Sequence, residues 1–263
     1  MAVNVGLIGA GHIAQALAEG WSRPHVPAPP SLVVFDVDAV KARELAAASG
    51  GIAAATAAEL VAAADLVIVA VRPQHVEGVL ADVGVALGAR PVVSVAAGVT
   101  LARLQAALPA GTRVARVMPN VAAALGLGVF LLVPGTLGLA AVEVEKLFAL
   151  AGDVVEVDET LFDAATAVAG CMPGMIAYLV EAFAAAGVAH GLAADVALRL
   201  AVAGVHGAAA IVAREGDPAA VVAAAATPGG MTAAAVEALE ARELPLTVAG
   251  AVAAAIARAS ELA

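Results

Sequence analysis

The chain has 263 residues, 62% of them hydrophobic, and a formal net charge of −10, which argues against a nucleic-acid-binding protein with a basic face. Its length is sufficient for two domains, each with its own core. The single cysteine, Cys171, excludes an internal disulfide and a cysteine-rich metal site, as expected for a protein of the reducing cytoplasm. Five scattered histidines show no metal-ligand spacing, so we predict no metal.

The mean hydropathy of +0.97 invites a membrane interpretation. The longest uncharged run, 117–142, contains Pro119, Asn120, Pro134 and four glycines, and no continuous lipid-facing helix tolerates these breaks. The N-terminal apolar segment leads directly into a glycine turn and lacks the basic region and cleavage site of a signal peptide. We therefore predict a soluble, cytoplasmic protein without a membrane or nucleic-acid partner.

The first elements in the chain are a strand over 3–8, a glycine turn and a helix over 13–21. Gly9 permits the tight turn, Gly11 lets the backbone approach a pyrophosphate, and Ala14 lets the helix pack closely on the strand. The backbone amides of His12 and Ile13 lie at the helix N-terminus, where phosphates bind. This pattern predicts a dinucleotide-binding strand–turn–helix unit.

A proline-rich connection over 24–30 leads to a second strand over 32–35, which ends at Asp36. A dinucleotide fold places a carboxylate about 20 residues past the glycine turn to accept hydrogen bonds from the ribose hydroxyls. Such a carboxylate repels a 2′-phosphate, although Lys41 and Arg43 are near enough to weaken this effect. We expect NADH or NADPH as cofactor, with NADH slightly favoured. The alternative is that Asp36 caps the helix that starts near Asp38.

Strands and helices continue to alternate up to residue 157, with apolar runs typical of a parallel sheet covered on both faces. Pro73 marks a helix start, and Thr100 is suited to cap the helix that follows it. Ligands of open parallel sheets bind beyond the carboxyl ends of the strands. The residues expected at this edge are Gly9, Asp36, Ala70 with the adjoining Val71 and Pro73, Ala96 and Asn120. Further strands are predicted over 65–70, 91–95, 113–117, 128–133 and 154–157.

Beyond residue 159 the strand signals stop. Helices are predicted over 161–188, 193–214, 218–225, 231–241 and 246–259, and many of their faces are apolar on every side. Such helices must be buried, and about a hundred residues of helix cannot bury them alone. We therefore predict an α/β fold with an N-terminal Rossmann dinucleotide-binding domain over 1–158. It is followed by an all-α dimerisation domain over 159–263, which makes a homodimer or a multiple of dimers.

The sequence resembles the pyrroline-5-carboxylate reductase family nearly from end to end. The resemblance implies an NAD(P)H-dependent reductase that delivers hydride to a cyclic imine, with the substrate held where the helical domains of two subunits interlock. The motifs that carry it are Gly9-Ala-Gly11, Ala70-Val-Arg-Pro-Gln74, Ala96-Ala-Gly-Val99, Arg116-Val-Met-Pro-Asn120, Glu181-Ala-Phe183, Gly187-Val188 with Gly191-Leu192, and Thr227-Pro-Gly-Gly-Met-Thr232.

The resemblance also implies a substrate site. Thr232 matches the family threonine near the imine nitrogen, and the turn at Gly229, Gly230 and Met231 leads into a helix whose free amides are suited to hold a carboxylate. Alternatively, the Thr232 hydroxyl is an ordinary polar group in the first turn of a helix.

The loop 169–175 departs from the family pattern. Family members usually read Ser-Gly-Ser-Gly-Pro-Ala-Tyr where this chain reads Ala169-Gly-Cys-Met-Pro-Gly-Met175, and Met231 replaces a threonine. The substrate-binding residues implied here are Cys171, Met172 and Met175, and an apolar pocket favours a bulkier or less polar imine. Two alternatives stay open: Cys171 and Met172 simply fill space, or the chain is a non-catalytic relative with a regulatory role.

Overall fold

The computed structural model describes residues 3–262. The chain forms two compact units: the first runs to Cys171 and includes the residues from Ala255 onward, and the second spans Met172–Ala254. A functional boundary after residue 158 stays a prediction, because the compact units divide after Cys171.

The first unit contains an eight-stranded sheet in the order β3-β2-β1-β4-β5-β6-β7-β8. Its strands are parallel except that β7 runs antiparallel to β6. This sheet confirms the predicted Rossmann-type arrangement, with β3 as an additional short strand. The strands are β1 (Asn4–Ile8), β2 (Ser31–Phe35), β3 (Ile52–Ala53), β4 (Leu66–Val69), β5 (Val92–Ser94), β6 (Val114–Met118), β7 (Gly128–Val133) and β8 (Gly152–Glu156).

Helices cover both faces of the sheet, so strand residues alternate between two apolar layers. One layer packs Leu7 and Ile68 against Trp21 and Phe148, and the other packs Ile8 and Val69 against further helices. The helices of this unit are α1 (His12–Trp21), α2 (Ala39–Ser49), α3 (Ala57–Ala63), α4 (Pro73–Leu87), α5 (Leu101–Ala106), α6 (Ala140–Ala149) and α7 (Phe162–Ala165).

Two predicted helix starts are confirmed. Pro73 is the first residue of α4, where its missing N–H costs no hydrogen bond. The Thr100 hydroxyl accepts a hydrogen bond from the Arg103 amide and so caps α5. The run 117–142, which first invited a membrane interpretation, forms the end of β6, a 3₁₀ turn over Val121–Leu125, and β7.

The single helix predicted over 161–188 is wrong, because four segments occupy this stretch. A 3₁₀ turn at Glu159–Leu161 precedes α7, a π turn follows at Thr166–Gly170, and α8 begins at Met172. Pro173 has no N–H to continue the preceding helix, so a new helix starts there. The Cys171 amide instead donates to the Thr166 carbonyl at 3.1 Å, which closes the wider π turn.

The second unit is all helical, as predicted. Of residues 172–254, all of which the structure describes, Ala197 alone is buried. Large apolar side chains are exposed, including Tyr178 (73%), Phe183 (60%) and Leu200 (54%). This part of the chain contributes α8 (Met172–Ala189), α9 (Ala194–Glu215), α10 (Pro218–Ala225), α11 (Met231–Glu240) and most of α12 (Leu244–Leu262).

Three helical stretches are long and apolar enough to cross a membrane by length and composition alone: Glu159–Ala189, Ala194–Glu215 and Leu244–Glu261. At most 11% of the most apolar window in each is buried within the chain. These exposed apolar helices require a covering surface that this chain alone does not provide.

Candidate active site

The glycine turn is wedged between two neighbouring strands. Gly9 has φ +106°, and a Cβ added to it would lie 2.5 Å from the Ala70 carbonyl oxygen. The Gly9 amide donates to the Phe35 carbonyl at 2.7 Å. Only glycine fits this backbone conformation and this close approach, so the turn after β1 is held tightly against the ends of β2 and β4.

Gly11 lies on the open side of the same turn. It is the N-cap of α1, it makes no side-chain capping bond, and a Cβ added to it would have no neighbour within 4 Å. His12 is exposed and Ile13 partly exposed. The first amides of α1 therefore face open space, which is the arrangement that binds a phosphate group. This geometry fits the pyrophosphate of a dinucleotide.

Asp36 connects the second strand to the glycine turn. Its Oδ2 accepts a hydrogen bond from the Ala10 amide at 2.7 Å, and its Oδ1 accepts one from the Asp38 amide at 2.8 Å. Two carboxylate oxygens offer about four acceptor positions, so ribose hydroxyls can still donate to Asp36.

The alternative in which Asp36 caps α2 is wrong. Asp38 is the N-cap, and its carboxylate accepts from the amides of Val40 and Lys41. The Lys41 ammonium also lies 3.7 Å from Asp38 Oδ2, with both side chains exposed. In this position Lys41 forms an exposed ion pair with Asp38.

The other predicted residues of this edge follow β4 and β5. The Ala70 amide donates to the Ile8 carbonyl at 2.8 Å, and Val71 and Pro73 lead directly into α4. Ala96 is buried behind the end of β5, where its amide donates to Ser94 Oγ at 3.4 Å. The parallel register brings these strand ends to one edge of the sheet.

Asn120 is buried, and its side chain is bonded within the chain. Its Oδ1 accepts from the amides of Ala122 and Val129 at 3.2 and 3.3 Å, and its Nδ2 donates to the Ala169 carbonyl at 3.2 Å. A direct contact with a cofactor stays a prediction. The bond to Ala169, which sequence analysis missed, fastens the start of the loop 169–175 to the end of β6.

A cavity of about 310 Å³ opens at this edge of the first unit, a size typical of small-molecule sites. Its lining includes Ala97, Gly98, Met118, Gly170 and Cys171. Residues that follow β5 and β6 thus share one cavity with Cys171, which was implied as a substrate residue.

The other implied substrate residues belong to the second unit. Gly229 has φ +73°, and Gly230 is the N-cap of α11 without a side-chain capping bond. Met231 is 93% exposed. The Thr232 hydroxyl has no hydrogen-bond partner among residues 3–262, so it is available to a ligand. Met172 and Met175 lie in the first turn of α8.

No group of three or more histidine, cysteine, aspartate or glutamate side chains suited to hold a metal ion occurs in the described part of the chain. The exposed Asp158 carboxyl has a pKa below its usual value. Hydrogen bonds from the Thr160 hydroxyl and then from its amide lower this pKa.

Comparison with known proteins identifies the family. A family model described as pyrroline-5-carboxylate reductase dimerisation matches residues 159–262, and one described as NADP oxidoreductase coenzyme F420-dependent matches residues 4–98. A pyrroline-5-carboxylate reductase of Mycobacterium leprae is 37% identical, covering 98% of this chain and 96% of its own length. This chain belongs to the pyrroline-5-carboxylate reductase family.

Other members of the family also match this chain over nearly its whole length. The pyrroline-5-carboxylate reductase of Arabidopsis thaliana is 35% identical over 98% of this chain and 95% of its own. The solved structure of a pyrroline-5-carboxylate reductase from Coxiella burnetii matches with a TM-score of 0.91 and 25% identity, covering 100% of this chain and 99% of that one. The predicted resemblance and the order of a dinucleotide-binding domain before a dimerisation domain are confirmed.

We expect Gly11→Ala to fold normally but to bind NADH about tenfold or more weakly, a loss of about 1.4 kcal/mol, because its methyl group occupies the path of the phosphates. The measurement is NADH titration followed by calorimetry, beside thermal unfolding. Gly78→Ala in α4 is the matched control, since its Cβ would also meet nothing within 4 Å. Wild-type affinity in Gly11→Ala would show that the phosphates bind elsewhere.

Proposed function

We propose that this chain is an NAD(P)H-dependent reductase that delivers hydride to a cyclic imine of the pyrroline-5-carboxylate type. The observation that carries the proposal is the open glycine turn before α1, joined by hydrogen bonds to Asp36, in a member of a reductase family. A non-catalytic relative would have no use for the free Thr232 hydroxyl beside an uncapped helix N-terminus.

The chemistry requires little from protein side chains. The nicotinamide supplies hydride when bound, and an imine protonated at nitrogen is already electrophilic. The protein's task is therefore to hold both reactants close and to exclude water. The apolar cavity at the carboxyl edge of the sheet, together with the amides at the α1 N-terminus, serves this purpose.

We further propose that NADH serves at least as well as NADPH. The Asp36 carboxylate stands at the end of β2, where the adenosine ribose binds in dinucleotide folds, and it repels a 2′-phosphate at close range. Lys41 offsets this charge only in part, since its ammonium lies 3.7 Å from Asp38 Oδ2.

The preferred imine is bulkier or less polar than pyrroline-5-carboxylate. Ala169, Cys171 and Met175 stand where the family has hydroxyl-bearing residues, and Cys171 shares its cavity with Ala97 and Met118. An apolar lining rewards apolar substrate surface, and each absent hydroxyl removes a hydrogen bond to a small carboxylate.

A second copy of the chain covers the apolar helices of the second unit. An apolar groove runs between α8 and α9 and is lined by Ile176, Val180, Leu198 and Val202. The dimerisation model of the family matches this region, whereas charged residues such as Glu181 and Arg199 interrupt the helices that could otherwise span a bilayer. We accordingly place the protein in the cytoplasm as a dimer or a multiple of dimers.

For activity, we expect NADH oxidation in the presence of cyclic imines, with kcat/KM higher for six-membered or aryl-substituted imines than for pyrroline-5-carboxylate. Cys171→Ser should raise kcat/KM for pyrroline-5-carboxylate by about fivefold or more relative to kcat/KM for the other imines, since one hydroxyl bond contributes about 1–3 kcal/mol. Thr232→Ala should lower kcat, while Thr247→Ala in α12 serves as control.

Two results would contradict this expectation. A preference for pyrroline-5-carboxylate by orders of magnitude would mean that the loop 169–175 does not set substrate choice. If no imine is reduced and Thr232→Ala changes nothing, the chain is the non-catalytic relative.

For the cofactor, we expect kcat/KM with NADH to equal or exceed that with NADPH. Asp36→Asn keeps one acceptor oxygen, enough for the Ala10 amide but not for the Asp38 amide as well, and it removes the charge, so it should shift the ratio toward NADPH. Asp36→Ala also removes the hydrogen bond from the Ala10 amide and should weaken the binding of both cofactors. A clear NADPH preference that Asp36→Ala leaves unchanged would assign the choice to Lys41 or Arg43.

For assembly, we expect light scattering to find a dimer or larger species at micromolar concentration. Leu198→Glu should dissociate or precipitate it, because a charge buried without a partner is strongly destabilising. Leu139→Glu is the control, since Leu139 is 95% exposed on the first unit. A stable wild-type monomer would refute the covering role of a second copy.

A further inference from the structure

Arg116 carries a buried charge beneath the edge of the sheet where the cavity opens. It lies on β6, opposite Ser94 of β5, and is 4% exposed. Its Nη1 lies 2.7 Å from Glu159 Oε1, and its guanidinium carbon stands 4.0 Å from the centre of the Phe162 ring. The motif that contains Arg116 supported the family resemblance, but sequence analysis gave this residue no role.

Glu159 connects three elements through one carboxylate oxygen. Besides Arg116, Oε1 accepts a hydrogen bond from the Leu101 amide at 2.6 Å. Leu101 begins α5, directly after the segment 96–100 that lies at the carboxyl edge of the sheet. Glu159 itself begins the turn that leads through α7 to the π turn at Thr166–Gly170. The pair therefore joins β6, the segment 96–100 and the approach to Cys171.

A stabilising role alone does not account for this arrangement. The pair is half-buried, with Arg116 4% and Glu159 33% exposed. Taking the Arg116 charge out of water offsets much of the attraction within the pair, and Arg116 Nε is buried without a hydrogen-bond partner among the described residues. What this pair with its bridging acceptor does provide is one defined geometry, because alternative packings leave the buried Arg116 charge unpaired.

The segments fixed by this pair both line the cavity. Ala97 and Gly98 come from the segment before α5, and Gly170 and Cys171 come from the π turn and its end. The bond of Asn120, two residues beyond the end of β6, to Ala169 supplies a second connection to the same turn. Two connections fix the position of the turn more completely than one.

We propose that Arg116 and Glu159 are positioning residues that set the alignment of hydride transfer. They do so by holding the segment 96–100 and the turn 166–171 at a fixed separation across the cavity. The inference rests on the proposed reductase function. Neither residue has to touch the reactants. Both act by fixing the distance between the two segments that form the walls of the cavity. A misplacement of about 1 Å at a reacting centre costs about 100-fold in rate.

The test compares Glu159→Gln and Arg116→Lys with the wild type, using NADH and NADH deuterated at C4. Glu159→Gln keeps an acceptor for the Leu101 amide but loses the charge. We expect unchanged NADH affinity, a kcat lowered by about tenfold to 100-fold, and an increased deuterium isotope effect as hydride transfer becomes rate-limiting. The double variant Arg116→Gln/Glu159→Gln, a neutral hydrogen-bonded pair, should recover part of the loss.

Glu77→Gln is the matched control. Glu77 forms an exposed ion pair with Arg103, which lies on α5 like Leu101. Removing the Glu77 charge should leave kcat and the isotope effect unchanged. A merely structural role would lower the fraction of active enzyme in Glu159→Gln while leaving the isotope effect of the remaining activity at the wild-type value. That result would overturn the proposal.

A second measurement does not depend on catalysis. Amide hydrogen exchange in Glu159→Gln should increase in peptides covering 96–104 and 164–171 and stay unchanged around the glycine turn at 9–14. Unchanged exchange in both regions would overturn the proposal even if the wild type reduced no imine. Failure of the wild type on every imine, by contrast, would count against the proposed function.

Discussion

The close approach of Gly9 to the Ala70 carbonyl is the contact on which the cofactor site depends. A single added methyl group would lie 2.5 Å from that oxygen, so no other residue lets β1 turn here. Through the Gly9 and Ala70 amides, which donate to Phe35 and Ile8, the ends of three strands are joined. This junction aims the free amides of α1 at open space and brings Ala10 within 2.7 Å of Asp36. The open amides of α1 and the Asp36 carboxylate therefore share one backbone constraint.

The first unit buries most of its large apolar side chains, whereas the second unit exposes them. In the first, a sheet covered on both faces buries valine, leucine and isoleucine in two layers. In the second, helices rich in alanine bury Ala197 alone among residues 172–254 and expose large apolar side chains such as Tyr178. Alanine adds helix propensity but too little volume for a core of its own. The apolar helices of the second unit therefore depend on association for their burial.

Much of the first unit could be predicted because its signals are local. Apolar runs marked the main strands, and Pro73 and Thr100 marked helix starts. What could not be predicted depends on partners distant in sequence. The strand Ile52–Ala53 has two residues and exists only by pairing with β2. The Asn120–Ala169 and Arg116–Glu159 contacts join residues 49 and 43 positions apart, and no periodicity or spacing signals such a pairing. In the candidate site, the glycine turn was therefore predictable and the supports beneath the cavity were not.

Residues that line the cavity and residues that hold its walls in place tolerate substitution to different degrees. The changed residues of the loop 169–175 include Cys171, which lines the cavity, whereas Arg116 and Glu159 are not among the lining residues. Removing a hydroxyl from a pocket wall changes affinity by about 1–3 kcal/mol, but removing Glu159 leaves the buried Arg116 charge without its partner, which costs up to about 3–5 kcal/mol. Substitutions in the wall are therefore tolerated more readily than substitutions in the support. The wall of the cavity can therefore change while the Arg116–Glu159 pair keeps its geometry.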